Sequence, residues 1–451
     1  MDQTVRTAEL RVPPGPTDWP SPQRAWITVF ILMAAYALAF VDRQILTLLV
    51  EPVRRDLHIN DTEFSLLSGL AFTLFYTVMG IPFAWMADRS SRRTLILISI
   101  GFWTLMTAAC GMAGSFLTLF LARIGVGVGE AGLSPAAYSM IADNFPPAKR
   151  ARPLGVYAIG SICGVGLALI IGGAVIQWAI SAPPVTLLLL GELKSWQLAF
   201  LMVSLPGPIL VLAMLPVREP KRQEKALVEG EARPSFVAFL RRRWKPFTLL
   251  SLGYSLIGVS VAAYLTWTPA MMMRAHGWPM AQIGLTYGLI LLVFSTSGIV
   301  LGGWWSDRMA AKGRQDSILR VAMTGTALAL PFAIVAPLAP TGTLAMAAIA
   351  AMSFGFGLTQ GLPAPSLQAI APNRLRARVM ALYLLIGNII AFTVGPTGVA
   401  LISDYWLKDP SRIGVAVAVV SAVVVPLGLL ALFAARKSFV EASVYEAGPG
   451  I

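Results

Sequence analysis

Apolar residues run along this chain in long stretches of roughly 20, at 26–50, 64–86, 94–114, 116–143, 153–180 and 196–216, and again at 246–272, 281–305, 318–338, 343–370, 377–402 and 412–434. An α-helix rises about 1.5 Å per residue and the hydrocarbon core of a bilayer is about 30 Å thick, so each stretch predicts one spanning helix. Between the sixth and seventh lies the longest polar interruption, 217–245, with Arg218, Lys221, Arg222, Lys225, Arg233, Arg241, Arg242, Arg243 and Lys245. The pattern predicts an all-α integral membrane protein of twelve helices. It divides into a tail 1–25, a six-helix bundle 26–216, a basic linker 217–245, a second bundle 246–435 and a tail 436–451.

Composition agrees with this division. The 451 residues are 56% hydrophobic and only 13% charged, against about 25% charged in soluble domains. The formal charge of +13 points towards nucleic acid only until its distribution is read. With the N-terminus inside, 27 of the 35 Lys and Arg fall in inner loops and tails. Short cytoplasmic loops collect such residues, so the charge is a topology signal and places both termini in the cytoplasm, with no nucleic-acid partner expected. Six basic residues lie outside, Arg54, Arg55, Lys194, Arg274, Lys408 and Arg412, while Arg43 and Arg123 lie within spans. Residues 1–24 lack the apolar core of a cleavable signal, so the first span is expected to direct insertion, and a multi-pass protein of a bacterial inner membrane is the expected location. Cys110 and Cys163 sit in apolar stretches and read as packing residues.

The two sets of six helices repeat one another. Ala84-Trp-Met-Ala-Asp88-Arg89-Ser-Ser-Arg92-Arg93 is matched by Gly303-Trp-Trp-Ser-Asp307-Arg308 with Lys312 and Arg314, the aspartates lying 219 apart. Arg150-Ala151-Arg152 with Tyr157 is matched by Arg376-Ala377-Arg378 with Tyr383, 226 apart. Paired six-helix halves around a midplane site are a transporter architecture.

On these residues the whole chain resembles the major facilitator superfamily. Residues 84–93 are similar to that superfamily's loop signature G-x-x-x-D-R-x-G-R-R, with Ala84 and Ser91 in place of its two glycines. Arg123-Ile-Gly-Val-Gly127-Val-Gly129-Glu130-Ala131 resembles its fourth-helix motif. Gly155, Gly164, Gly172 and Gly173 have the spacing of its antiporter glycine motif, whose Gly-Pro position holds Ala168-Leu169 here. Within the superfamily, Phe40-Val41-Asp42-Arg43 and the run from Arg123 through Glu130 to Pro135, leading into Ile141-Ala142-Asp143, resemble the Spinster family. That resemblance implies proton-linked movement of lipid-like amphiphiles such as lysophospholipids or sphingoid phosphates.

Charge inside a span costs at least ~2.5–3.5 kcal/mol and is functional by default. Asp42 and Arg43 are neighbours about 100° apart on their helix, so each faces a different partner. Arg123 and Glu130, seven residues apart, share a face. Contacts of Asp42 with Arg123 and of Arg43 with Glu130 are both feasible. Asp42 and Glu130 are the candidate protonatable pair, and Arg43 and Arg123 their charge partners or ligands for a substrate headgroup. The competing reading is a static ion-pair network that orients helices one and four.

Asp88, Arg89, Arg92, Arg93, Asp307 and Arg308 are candidates for a cytoplasmic latch, and membrane anchoring is the alternative for many of these arginines. Pro135 is expected to loosen the fourth helix, and Gly395-Pro396 the eleventh. The second half is nearly free of intramembrane charge. Its candidate cavity residues are Tyr264, Trp267, Thr268, Gln360, Tyr383 and Asn388, a division that suits an amphiphile whose headgroup meets the first half and whose chain meets the second.

A membrane enzyme, a non-transporting sensor and a channel are the rival classes. His58 and His276 are the only histidines, too few for a histidine-based nucleophile or a multi-histidine metal site, and no phosphate-binding Walker sequence is present. The expectation is a monomeric alternating-access secondary transporter, not an enzyme. No cofactor or metal is expected beyond the proton as coupling ion, and the expected partners are membrane lipid and a small-molecule or lipid substrate. A small organic anion, a sugar or a drug is the alternative cargo.

Overall fold

A computed structural model describes residues 19–146, 149–181, 186–187, 191–222, 235–372 and 375–447. Residues 1–18 of the first expected tail, 448–451 of the second and linker residues 223–234, with Lys225 and Arg233, lie outside these. Among the described residues, twelve helices are long and apolar enough to span a bilayer: α1 Pro22–Leu48, α2 Asp61–Arg89, α3 Arg92–Gly111, α4 Phe116–Asn144, α5 Arg152–Ser181, α6 Ser195–Met214, α7 Phe236–His276, α8 Met280–Ala310, α9 Ser317–Leu338, α10 Gly342–Ala369, α11 Arg378–Leu407 and α12 Pro410–Ser443. In hydrocarbon no water satisfies a backbone N–H or C=O, and a helix pairs them internally. Large apolar side chains on the outer faces stay uncovered by protein, among them Trp406, Val300, Ile209 and Phe433.

Helix ends carry local caps where the chain leaves the apolar layer. Asn60 and Glu63 form a capping box at the start of α2, Ser115 and Thr118 another at α4, and Thr341 caps α10. The helix leading into the seventh span begins at Phe236, ten residues before the apolar stretch, and bends at Arg243, whose φ/ψ of −113°/19° is not helical.

The halves meet along two seams made by glycines. On one, a Cβ on Gly284 of α8 would lie 2.1 Å from the Leu169 carbonyl oxygen of α5, and one on Gly166 of α5 would lie 2.2 Å from the Leu292 side chain. On the other, a Cβ on Gly69 of α2 would lie 2.4 Å from the carbonyl oxygen of Phe392 in α11. Small residues let helix backbones approach in lipid, where hydrophobic driving force between helices is absent. Two of these contacts involve π-helical turns: Gly166 meets Leu291–Ser295 of α8, and Leu66–Leu70 of α2 meets Ile390–Val394 of α11.

Candidate functional site

The fourth helix brings its two charges together through its own interruption. It runs as Phe116–Glu130, turns at Ala131 and Gly132, and resumes as Leu133–Asn144. Pro135 has no N–H to give the Ala131 carbonyl, so the break follows Glu130 directly. The tenth helix does the same: Gly342–Gln360, a turn at Gly361 and Leu362, then Pro363–Ala369. The two segments superimpose in sequence at a spacing of 230, matching Gly125 with Gly355, Gly127 with Gly357, Glu130 with Gln360 and Pro135 with Pro365. Gln360 is thus the neutral repeat partner of Glu130. Glu130 is 1% exposed, whereas the Gln360 side chain is open to the space between the halves.

Arg43 donates from Nε to Glu130 Oε2 at 2.7 Å. Its guanidinium lies over three rings, 4.3 Å from the centroid of Tyr76, 4.7 Å from Phe72 and 4.8 Å from Phe40. A desolvated guanidinium gains about 2 kcal/mol on a ring face, so this aromatic collar offsets part of the burial cost. Arg123 donates to the backbone carbonyl of Asp42 at 3.1 Å and also lies over Phe72, at 5.3 Å. Of the two feasible contacts, the Arg43–Glu130 ion pair is present, while Arg123 meets Asp42 through the main chain. Buried polar atoms are left over: Asp42 Oδ1, Gln44 Nε2, Arg123 Nε and Glu130 Oε1 have no hydrogen-bond partner among the described protein groups. An unsatisfied buried group costs about 1–3 kcal/mol, and more when charged.

Three adjoining cavities lie between the halves, of about 220, 190 and 100 Å³. The smallest is walled by Arg43, Arg123, Gln44 and Tyr76 from the first half and by Asn388 and Phe392 from the second. The other two carry no charged side chain: one is lined by Phe40, Val165, Tyr264, Leu291 and Gln360, the other by Gln360, Tyr383, Asn388 and Phe356 among others. Of the six expected cavity residues, Tyr264, Gln360, Tyr383 and Asn388 line these spaces. Trp267 and Thr268 do not line them. Trp267 is fully buried, its indole N–H donates to the Pro396 carbonyl at 3.0 Å, and its ring packs on Phe64 at 6.1 Å. Tyr264, though at the cavity wall, has its hydroxyl committed to the Ala333 carbonyl at 2.7 Å.

The expected latch residues gather at the end bearing the chain termini. Arg92 pairs with Asp143 and, at 2.8 Å, with Glu219 just beyond α6. Arg93 donates to the Leu215 carbonyl, and Arg222 to the carbonyls of Ala87, Asp88 and Ser90. Burial raises the Glu219 carboxyl, but Arg92, the Arg93 N–H and the Ser91 hydroxyl outweigh it and hold the group below the ordinary range. Arg89 lies over Trp85 and Arg308 over Trp304. Asp307 continues α8, its carbonyl accepting from the Ala311 N–H. These contacts stay within one half.

Among the described residues, the hydrogen bonds and ion pairs that tie the halves are at the opposite end, and the sequence pattern assigned their residues no role there. Arg274 of α7 makes a two-pronged ion pair with Asp61 at 2.8 Å on each prong, and a further one with Glu51 at 2.6 Å. Arg54 also reaches Asp61, at 3.0 Å, and Asp61 is fully buried. The Thr62 N–H and hydroxyl both donate to Asp404 at 2.7 Å, and the Ser65 hydroxyl to Thr397 at 3.1 Å. An acid at a helix start facing an arginine at the end of another helix is the only sequence signal these residues carry.

The sequence matches the Major Facilitator Superfamily over residues 32–396. It is 29% identical to an MFS-type efflux pump of Mycolicibacterium smegmatis, over 86% of each chain. It is 25% identical to a probable L-galactonate transporter of Escherichia coli, over 70% of each. The fold is similar to the crystal structure of a bacterial homolog of the human lysosomal transporter Spinster in an inward-facing, unoccupied conformation, with a TM-score of 0.78, 26% identity and coverage of 94% of this chain and 98% of that one. Family and fold are those of transporters, not enzymes: the chain belongs to the Major Facilitator Superfamily.

Proposed function

We propose that the chain is a proton-coupled secondary transporter of an anionic amphiphile, working by alternating access with both termini in the cytoplasm. The observation that carries this reading is the asymmetry of the central space. The first half supplies Arg43 and Arg123 beside two buried carboxyls, whereas the second half supplies an uncharged wall. An anionic headgroup of the lysophospholipid or sphingoid-phosphate kind meets the guanidinium groups, and its chain lies along Val165, Leu291 and Phe356.

The anion competes with Glu130 for Arg43. When it takes the guanidinium, Glu130 loses its counter-ion in a dry site, and protonation becomes the cheapest way to keep it buried. Asp42, whose Oδ1 has no partner, stands one residue from Arg43 and is the second proton carrier. Substrate and proton are thereby linked through one arginine. With the termini inside, the described half-to-half ion pairs lie on the outer side, which supports an inward-facing member of the cycle, the conformation described for the similar Spinster homolog.

Uptake of a labelled lysophospholipid panel into proteoliposomes, with and without an imposed pH gradient, tests the reading. The expected result is gradient-stimulated uptake that Asp42→Asn and Glu130→Gln abolish. A wild-type rate indifferent to the gradient and to both substitutions leaves a static ion-pair network and defeats the coupling. A second reading, a small organic anion such as a sugar acid, is favoured by the modest size of the cavities, 100–220 Å³ each, and by the likeness to the L-galactonate transporter. Gradient-driven uptake of galactonate with none of any lysolipid selects it.

A further inference from the structure

Outside the central space, one groove has the chemistry of a binding site. It lies at the end bearing the termini, between the start of α1, the end of α4 and the start of α5, and encloses about 600 Å³. Trp19, Trp26 and Phe145 form its aromatic walls, and Lys149 and Arg152 its charge, with no carboxylate among the described residues that line it. Both cations are exposed. The Arg152 guanidinium sits over the Trp26 ring at 5.8 Å, and no acidic partner of either cation is described. Two neighbouring cations are spoken for: Arg92 by Asp143 and Glu219, Arg150 by the Phe145 carbonyl at 2.9 Å. Lys149 and Arg152 thus present two open positive charges over an aromatic floor.

The groove is continuous with a lipid-facing surface. Trp26 packs edge-on to Phe145 and leans against Phe30 at 5.9 Å, and Phe30 and Ile27 are 52% and 56% exposed on the outer face of α1. Tryptophan favours the headgroup level of a bilayer, and basic pockets between helices on the cytoplasmic side suit anionic headgroups. We infer that this groove holds the phosphate headgroup of an anionic phospholipid from the surrounding leaflet, its acyl chains lying along Ile27 and Phe30. Lys149 and Arg152 contact the phosphate, and Trp19 and Trp26 fix the glycerol level. This occupant is distinct from the transported solute, and the inference stands whichever cargo the central cavity carries.

Native mass spectrometry of the purified full chain titrated with dioleoylphosphatidylglycerol or dioleoylphosphatidylcholine tests the inference. The expected result is one tight phosphatidylglycerol adduct, weakened about tenfold or more by Lys149→Gln with Arg152→Gln. Lys312→Gln with Arg314→Gln, which removes the same charge from the same end outside the groove, leaves the adduct intact. Equal retention of phosphatidylcholine, or equal loss in both double variants, overturns the site. An adduct lost in Arg43→Gln but kept in the groove variant places the lipid in the central cavity and also overturns it. Displacement by millimolar glycerol 3-phosphate shows a soluble-anion site and overturns the bilayer source. Should the double variant not fold, Arg152→Gln alone is read the same way, with several-fold weakening expected and wild-type affinity decisive against the groove.

Discussion

At the scale of single residues, the Glu130–Gln360 correspondence sets the electrical character of the central space. The repeat gives both halves the same broken helix, yet the first half seals a carboxyl behind Arg43 and the second half exposes an amide. Gln360→Glu places a titratable carboxyl in the open wall shared by the two larger cavities. Above the ordinary glutamate range, roughly pH 4.3 and up, that group is negative and repels an anionic cargo. Initial uptake by the variant is therefore expected to fall several-fold at pH 7.5 and to recover towards the wild-type value only as the pH falls to about 4. A loss independent of pH shows that the amide acts by hydrogen bonding and not through the local field. The Arg43–Glu130 pair was legible in the sequence, because charges within apolar stretches stand out and spacing places them on faces. The Trp267 and Thr268 positions were not. Apolar context marks a residue as being within a span without saying whether it faces cavity or core, and Trp267 is held inward by the Pro396 carbonyl.

At the scale of elements, the twelve spans followed from apolar length alone, while their irregularities did not. The π turns in α2, α8 and α11 lie inside unbroken apolar stretches, and apolar length does not separate them from continuous helix, although Gly69 lies in the first and Gly395-Pro396 follows the third. The early start of α7 at Phe236 was hidden because residues 236–245 are amphipathic and basic, and only the apolar stretch was read as helix. Seam glycines give a sharp comparison. A methyl on Gly284 meets the Leu169 carbonyl oxygen at 2.1 Å, whereas one on Gly80 meets nothing within 4 Å. Gly284→Ala is expected to destabilise the purified protein by about 1–3 kcal/mol and to slow transport, because α5 and α8 must separate to fit it. Gly80→Ala leaves both unchanged, and similar melting temperatures for the two variants contradict the tight seam. Glu219 ties the start of α3 to the end of α6 and supplies a pH test. Its folded carboxyl is held low, so its contribution is complete above the unfolded glutamate value and fades as the pH drops through the folded one. Solvent screening limits this to about 1 kcal/mol. The melting-temperature gap between wild type and Glu219→Gln is expected to be largest near pH 6–7 and to close below about pH 4.

At the scale of the whole molecule, the distribution of ion pairs decides which end is shut. The pairs described at the end bearing the termini, Arg92 with Asp143 and Glu219, lie within the first half and its adjoining linker, and those described at the opposite end bind half to half through Arg274, Asp61 and Glu51. For alternating access to proceed, the second group must break. Removing one member of a buried pair costs about 3–5 kcal/mol in the state that contains it. Two conformations separated by a few kcal/mol are redistributed by a loss of that size. Arg274→Ala is therefore expected to shift the protein towards the form open at this end. Spin labels at Arg55→Cys and Lys408→Cys, both exposed and on opposite halves, report the change once Cys110 and Cys163 are replaced. The parent gives one short distance, and Arg274→Ala adds a longer population. Asp61→Asn gives the same shift, because the amide that replaces the carboxylate provides no counter-charge for either Arg274 or Arg54. An unchanged distance distribution in both variants assigns closure to the Thr62–Asp404 and Ser65–Thr397 contacts and to the glycine seams, and leaves the ion cluster as a helix-end anchor.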